Sequence, residues 1–188
     1  MLGLTFRPQH VFKNQDPRFA HPPHSDSLIA ENYSQGSQIC CDDHGSWYMI
    51  TSKGNVYKND SKVASNFSVG SHMAAANDRW YVVTMKGDVY INDVKDAFDL
   101  PRFPPGSRIA ACEVENTWFV LTPTGALYSS TQKIAQLDGL GPGASLVSVA
   151  GERYITTTSG AIYNAAGEIV KQLDAVDVPF KSITLTSP

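Results

Sequence analysis

The stretch "WYMITSKGNVY", residues 47–57, decides the fold because it recurs. The same frame reads "WYVVTMKGDVY" from Trp80, "WFVLTPTGALY" from Trp118 and "RYITTTSGAIY" from Arg153. The four copies align without gaps. Their glycines stand at Gly54, Gly87, Gly125 and Gly160, at intervals of 33, 38 and 35 residues. Each copy shares a threonine three residues before the glycine (Thr51, Thr84, Thr122, Thr157) and a tyrosine three residues after it (Tyr57, Tyr90, Tyr128, Tyr163). Self-similarity at such a period is the mark of a repeat architecture.

Working outward, each copy reads as β. The aromatic and β-branched run before the glycine is apolar at successive positions, as in an interior strand covered on both faces. The glycine suits a hairpin residue with φ > 0. A second strand follows and ends near the tyrosine at turn formers such as Asn59-Asp60 or Asn92-Asp93. A weaker strand comes next, in "KVASNF", "DAFDLP", "KIAQLD" and "IVKQLD". Upstream of each aromatic run lies one more strand, entered through Gly36-Ser37, Gly70-Ser71 and Gly106-Ser107, and more loosely through Gly143-Ala144. Four strands per repeat of about 36 residues form a β-propeller blade.

The frame Gly-Ser-x-Ile-Ala-Ala followed by Trp-x-Val-x-Thr-x-x-Gly-x-Val-Tyr resembles the half-repeat of regulator-of-chromosome-condensation propellers. It is also similar to the shorter tectonin-type lectin repeats. The likeness runs from residue 36 to about 187. It departs from the former in lacking a Gly-Gln-Leu-Gly segment, and from the latter in carrying Arg153 where the fourth tryptophan belongs. Both resemblances imply a propeller; the second implies carbohydrate binding. The fold expected is all-β, a small propeller of four tandem four-stranded repeats with an extended N-terminal arm. Residues 27–36 match a fourth strand and residues 180–188 match a first strand. The termini therefore either close the ring or form a partial fifth blade, and an open arc is the third arrangement.

The densest chemistry is in "SQICCDDHGSWYMI", residues 37–50, which has the look of a metal or redox centre. Alignment removes most of that look. Cys40 and Cys41 fill positions held by Ala74-Ala75 and Ala110-Ala111, so both are expected to pack as small hydrophobes. Neighbours on a strand also point to opposite faces. Asp43, His44, Gly45 and Ser46 occupy a turn. Cys112 lies one position beyond its own Ala-Ala pair and has the same reading. His21 and His24, in "HPPH", have no Cys, Asp or Glu at local ligand spacing. His72 occupies a variable position also filled by Gln38 and Arg108. No metal and no cofactor is expected.

Composition narrows the partners. The chain has 188 residues, 42% hydrophobic and 18% charged, with a net charge of −3. That is enough chain for one domain with a substantial core. It carries no concentrated basic face for nucleic acid. No run approaches a membrane span, and "MLGLTFRPQHVFK" lacks the apolar stretch of a secretory signal. Three cysteines suggest no disulfide framework. A soluble intracellular protein of a reducing compartment is expected.

Residues 1–26 stand apart from the repeat domain at 27–188. Pro8, Pro17, Pro22 and Pro23 forbid a long helix there. Phe6, Val11, Phe12 and Phe19 are spaced like anchors of an extended peptide that docks on a partner; the bland counterpart is a disordered tail. Ordering costs about 1–2 kcal/mol per backbone residue and a buried Phe returns about 1.5–3 kcal/mol, so docking would need a broad surface. No catalytic motif occurs. The expected function is a non-catalytic protein–protein interaction module or structural subunit of a larger assembly. A carbohydrate-binding propeller is the alternative. Against it, Lys53, Lys86, Thr124 and Ser159 differ in type at one shared position, as do Asn55, Asp88, Ala126 and Ala161 at another. The tryptophans would serve as stacking platforms only if exposed.

Overall fold

Four separate four-stranded antiparallel sheets follow one another along the chain. The computed structural model describes residues 11–13, 27–30, 35–97, 100–141 and 143–173. A short pair comes first, β1 (Val11–Lys13) and β2 (Ser27–Ala30). The first blade is β3 (Gln38–Cys41), β4 (Trp47–Ile50), β5 (Val56–Lys58) and β6 (Ser61–Ala64). The second is β7 (His72–Ala76), β8 (Arg79–Val83), β9 (Val89–Ile91) and β10 (Val94–Lys95). The third is β11 (Arg108–Cys112), β12 (Thr117–Leu121), β13 (Ala126–Ser129) and β14 (Lys133–Gln136). The fourth is β15 (Ser145–Val149), β16 (Glu152–Thr156), β17 (Ala161–Asn164) and β18 (Ile169–Gln172). Each sheet pairs its strands in chain order, and no helix occurs among the described residues. The architecture is that of a small four-blade β-propeller-like fold.

Alternation of side chains explains how blades stack. On β7 and β8, Met73, Trp80 and Val82 point towards the first blade and pack with Tyr48, Ile50, Val56 and Phe67. The intervening Ala74, Ala76, Tyr81 and Val83 point the other way, onto Ile109, Trp118 and Val120 of the third blade. The third blade in turn presents Phe119, Leu121 and Leu127 to Leu146 and Ile155 of the fourth. The run that looked apolar on both faces is buried on both faces, and each large side chain so covered contributes about 1.5–3 kcal/mol. Innermost strands adjoin in series, β3 by β7, β7 by β11 and β11 by β15.

The repeated glycine is held by two constraints. Gly54, Gly87, Gly125 and Gly160 all have φ between 75° and 83°, a region that L side chains avoid. A Cβ at Gly54 or Gly125 would also run into the carbonyl oxygen of Phe67 or Leu137. The close approach is that of a hydrogen-bonded pair: the N–H of Phe67, Phe103, Leu137 and Leu173 donates to the carbonyl of Gly54, Gly87, Gly125 and Gly160 at 2.9–3.2 Å. It stitches the segment after the outermost strand to the hairpin of the same blade.

One predicted strand moves. In the second blade the outermost strand is Val94–Lys95, ahead of the "DAFDLP" segment, of which residues 98 and 99 lie outside the described residues. Asn92 and Asp93, at φ 47° and 67°, form a two-residue turn that sets Val94 opposite Ile91 and Lys95 opposite Tyr90.

Candidate functional site

Most of the polar residues that recur serve the fold. Thr51, Thr84, Thr122 and Thr157 sit at the start of the hairpin turn, one residue beyond the strands that end at Ile50, Val83, Leu121 and Thr156. Each Oγ1 accepts the backbone N–H four residues on, from Asn55, Asp88, Ala126 and Ala161, at 3.0–3.1 Å. Asn59 and Asn92 likewise use Oδ1 to accept the N–H of Trp47 and Trp80 at 3.0 Å. The three tryptophans are buried, so none offers a stacking face to a sugar.

The cluster at 40–46 resolves in the same way. Asp42, Asp43 and His44 bring their ligand atoms within 4.8 Å of one another. Both oxygens of buried Asp42 are engaged: Oδ1 accepts the N–H of His44 (3.0 Å) and Ser46 (2.8 Å), and Oδ2 accepts the Tyr48 hydroxyl (3.2 Å). Asp43 Oδ1 accepts the Asn77 N–H at 2.9 Å. These bonds build a turn and join it to the second blade. Cys40 is half-buried against the first and second blades, and burial first, then Cys41 and Asp42, raises its thiol pKa. A thiol held protonated is a poor nucleophile or ligand. Cys41 departs from the expectation: it points to the opposite face and is exposed, so packing accounts for Cys40 alone.

At one end of three inner strands stand Gln38, His72 and Arg108. Gln38 donates Nε2 to the Ser71 carbonyl at 3.1 Å and accepts the Met73 N–H at 3.4 Å, tying blade one to blade two. His72 has a buried Nδ1 without a hydrogen-bond partner. Burial, and then the Arg108 charge, lowers its pKa to about 4, so the imidazole is neutral near pH 7.

Between the second and third blades lies a cleft of about 270 Å³, lined by Arg79, Tyr81, Asp96, Asn116, Thr117 and Trp118 among others. The Trp118 indole N–H donates to Asp96 Oδ2 at 3.0 Å. The corresponding places at the neighbouring junctions are filled by cations. Lys58 sits over the Tyr48 ring and pairs with Asp78; the hydrogen bond from Lys58 holds Asp78 below the usual carboxylate range. Arg153 sits 4.5 Å from the Phe119 ring centre and donates to Glu115 at 2.6 Å. Sequence reading missed these pairs because their members are 20 to 38 residues apart, with no local spacing to betray them.

The outermost strands carry the other unforeseen feature. Tyr57 pairs with Lys62 and Val56 with Ala64, which leaves Val63 as the extra residue of a bulge. Ile134 and Val170 are the extra residues at the same place in the third and fourth blades. All three are exposed, at 41%, 38% and 50%. In the second blade the short β10 gives way to Asp96.

Of the residues expected to bind a partner, Phe6 and Phe19 lie outside the described residues. Val11 and Phe12 belong to β1, where Val11 pairs with Ala30 and Phe12 with Leu28. This pairing crosses the boundary drawn at residue 26. No helix among the described residues is long and apolar enough to cross a membrane. No protein-family model and no curated protein matches the chain. Fold and surface chemistry therefore frame the functional reading.

Proposed function

We propose that the protein is a non-catalytic interaction module, a structural subunit that lends surface to a larger protein assembly. The observation that carries this reading is the recurrence of an exposed branched aliphatic, Val63, Ile134 and Val170, at one bulge position on three outermost strands. Edge strands of soluble proteins are ordinarily blunted by charge or covered, because an apolar edge invites another chain. A feature that three blades keep in common is a surface built for contact, whereas their polar rim residues differ from blade to blade. The N-terminal segment adds to the contact. Residues 14–26, which include Phe19, separate β1 from β2, while only Asn59 and Asp60 separate β5 from β6; long connections of this kind commonly carry binding function.

The test is capture of tagged wild-type protein and the triple variant Val63→Ser/Ile134→Ser/Val170→Ser from source cells, with companions quantified by mass spectrometry. The expected result is a fixed companion set that falls at least tenfold in the variant, with an unchanged thermal transition. Equal recovery by a folded variant contradicts the proposal.

A further inference from the structure

The repeat frame makes the junction between the second and third blades an exception. One junction earlier, Lys58 lies over the Tyr48 ring and pairs with Asp78 of the following blade. The residues at those three places one blade on are Ile91, Tyr81 and Asn116. All three line the cleft of about 270 Å³. The cleft therefore stands where the preceding junction holds a lysine–aspartate pair. Trading lysine for isoleucine and aspartate for asparagine removes that pair and leaves room behind.

A second observation is that the cleft holds two opposite charges that do not neutralise each other. Asp96 is fixed from two sides: its N–H donates to the Val89 carbonyl at 2.9 Å, and its Oδ2 accepts the Trp118 indole N–H at 3.0 Å. Arg79 opens β8 and is exposed. The buried Tyr81 hydroxyl senses both groups. Burial raises its pKa, the Arg79 guanidinium opposes that by charge and by a hydrogen bond, and the Asp96 carboxylate adds to it. Neither Arg79 nor Asp96 has an ion-pair partner among the described residues, whereas Asp78, Asp88 and Glu115 pair with Lys58, Lys95 and Arg153. The hydroxyls of the cleft are already engaged, since Thr117 Oγ1 and Ser130 Oγ bond each other at 2.8 Å. The groups left to recognise a ligand are the guanidinium, the carboxylate and the apolar face of Ile91.

We infer that the cleft between the second and third blades is a binding site for a small zwitterion of the α-amino acid class. Asp96 receives the ammonium group, Arg79 receives the carboxylate, and Ile91 packs against the side chain. A guanidinium suits a carboxylate because its N–H groups form a planar fork. The ligand supplies the two charges that Lys58 and Asp78 supply one junction earlier. The volume lies at the small end for ligand pockets, which fits a single amino acid and excludes a dinucleotide. A neutral sugar is disfavoured, because it would leave both charges uncompensated against an apolar wall. The site is separate from the exposed aliphatics of the outermost strands and does not depend on the interaction reading above.

The experiment follows the Trp118 indole N–H by NMR while glycine, L-serine, L-leucine and L-glutamine are each titrated into the full chain. Acetate, methylammonium and glucose serve as probes carrying one charge or none. At least one amino acid is expected to shift the indole signal saturably with a Kd of about 1 mM or tighter. Each single-charge probe and glucose should bind at least tenfold more weakly. Arg79→Gln and Asp96→Asn are each expected to weaken the amino acid at least tenfold. A third variant guards against loss of fold at Asp96: Ile91→Lys/Asn116→Asp copies the Lys58–Asp78 pair into the cleft, and should abolish binding with the thermal midpoint unchanged. A Kd above about 1 mM for all four amino acids would overturn the site. So would acetate, methylammonium or glucose binding as tightly as the best amino acid, and so would undiminished binding by a folded Ile91→Lys/Asn116→Asp or Arg79→Gln variant.

Discussion

The junction between the second and third blades and the junction between the third and fourth solve one problem with different chemistry. At the first, Phe103 meets Trp118 and Tyr128 edge-on, and Asp96 caps the indole. At the second, Leu137 stands where Phe103 does and Arg153 where Trp118 does. The arginine reaches over Phe119 and pairs with Glu115, and its Nε is buried without a partner. An aromatic wedge is replaced by a charged one. The change shows in burial: β11 and β12 are buried along almost their whole length, while β15 and β16 are largely half-exposed. One repeat frame therefore yields a firm middle and a looser end.

The largest expected effect breaks the firm junction. Trp118→Ala removes a ring buried between blades and is expected to cost about 3–5 kcal/mol in denaturant unfolding. A loss under about 1 kcal/mol would mean that the middle junction does not hold the stack. Gly125→Ala comes next, at more than about 2 kcal/mol, because alanine must adopt φ near 82° and its Cβ meets the Leu137 carbonyl. Circular dichroism melts of this variant beside Ala126→Gly, which lacks both penalties, would isolate the turn.

Acid should narrow the difference between the junctions. The pKa of His72 is near 4 in the fold, below its ordinary 6.5, so between those values the unfolded chain binds a proton that the folded chain refuses. Stability is then full above about pH 6.5 and falls, by about 1–3 kcal/mol, as the pH drops towards 4. A His72→Gln variant, which copies Gln38 at the same position of the first blade, should flatten that slope in unfolding titrations. The smallest effect belongs to the looser end. Arg153→Ala is expected to cost only about 1 kcal/mol, the worth of a cation over a ring plus a partly exposed ion pair. A cost matching that of Trp118→Ala would erase the distinction.

How much of this could be read from the chain depended on whether the signal was local. The glycines, the two-faced aromatic strands and the burial of the tryptophans were legible, because each follows from residue type at a fixed place in an uninterrupted repeat. The role of the threonines was half-legible: the repeat showed them shared, but only the turn geometry shows Oγ1 accepting an N–H. The pairing of β1 with β2 was hidden because residues 14–26 interrupt the motif between "VFKN" and "SLIA". The exposed Val63, Ile134 and Val170 were hidden for a different reason. A bulge shifts the alternation of its strand, so simple period-two reading assigns the wrong face from that residue on. Cys41 misled because its counterparts Ala75 and Ala111 face a preceding blade, and the strand before Cys41 gives no sign of how that face is covered.

The central functional claim, that this fold serves to hold other proteins, is tested most directly by the native mass of the wild-type protein. Size-exclusion chromatography with light scattering on gently lysed source material should place it far above 20.5 kDa, with companions at constant ratio across the peak. Elution as a lone 20.5 kDa monomer would contradict the claim.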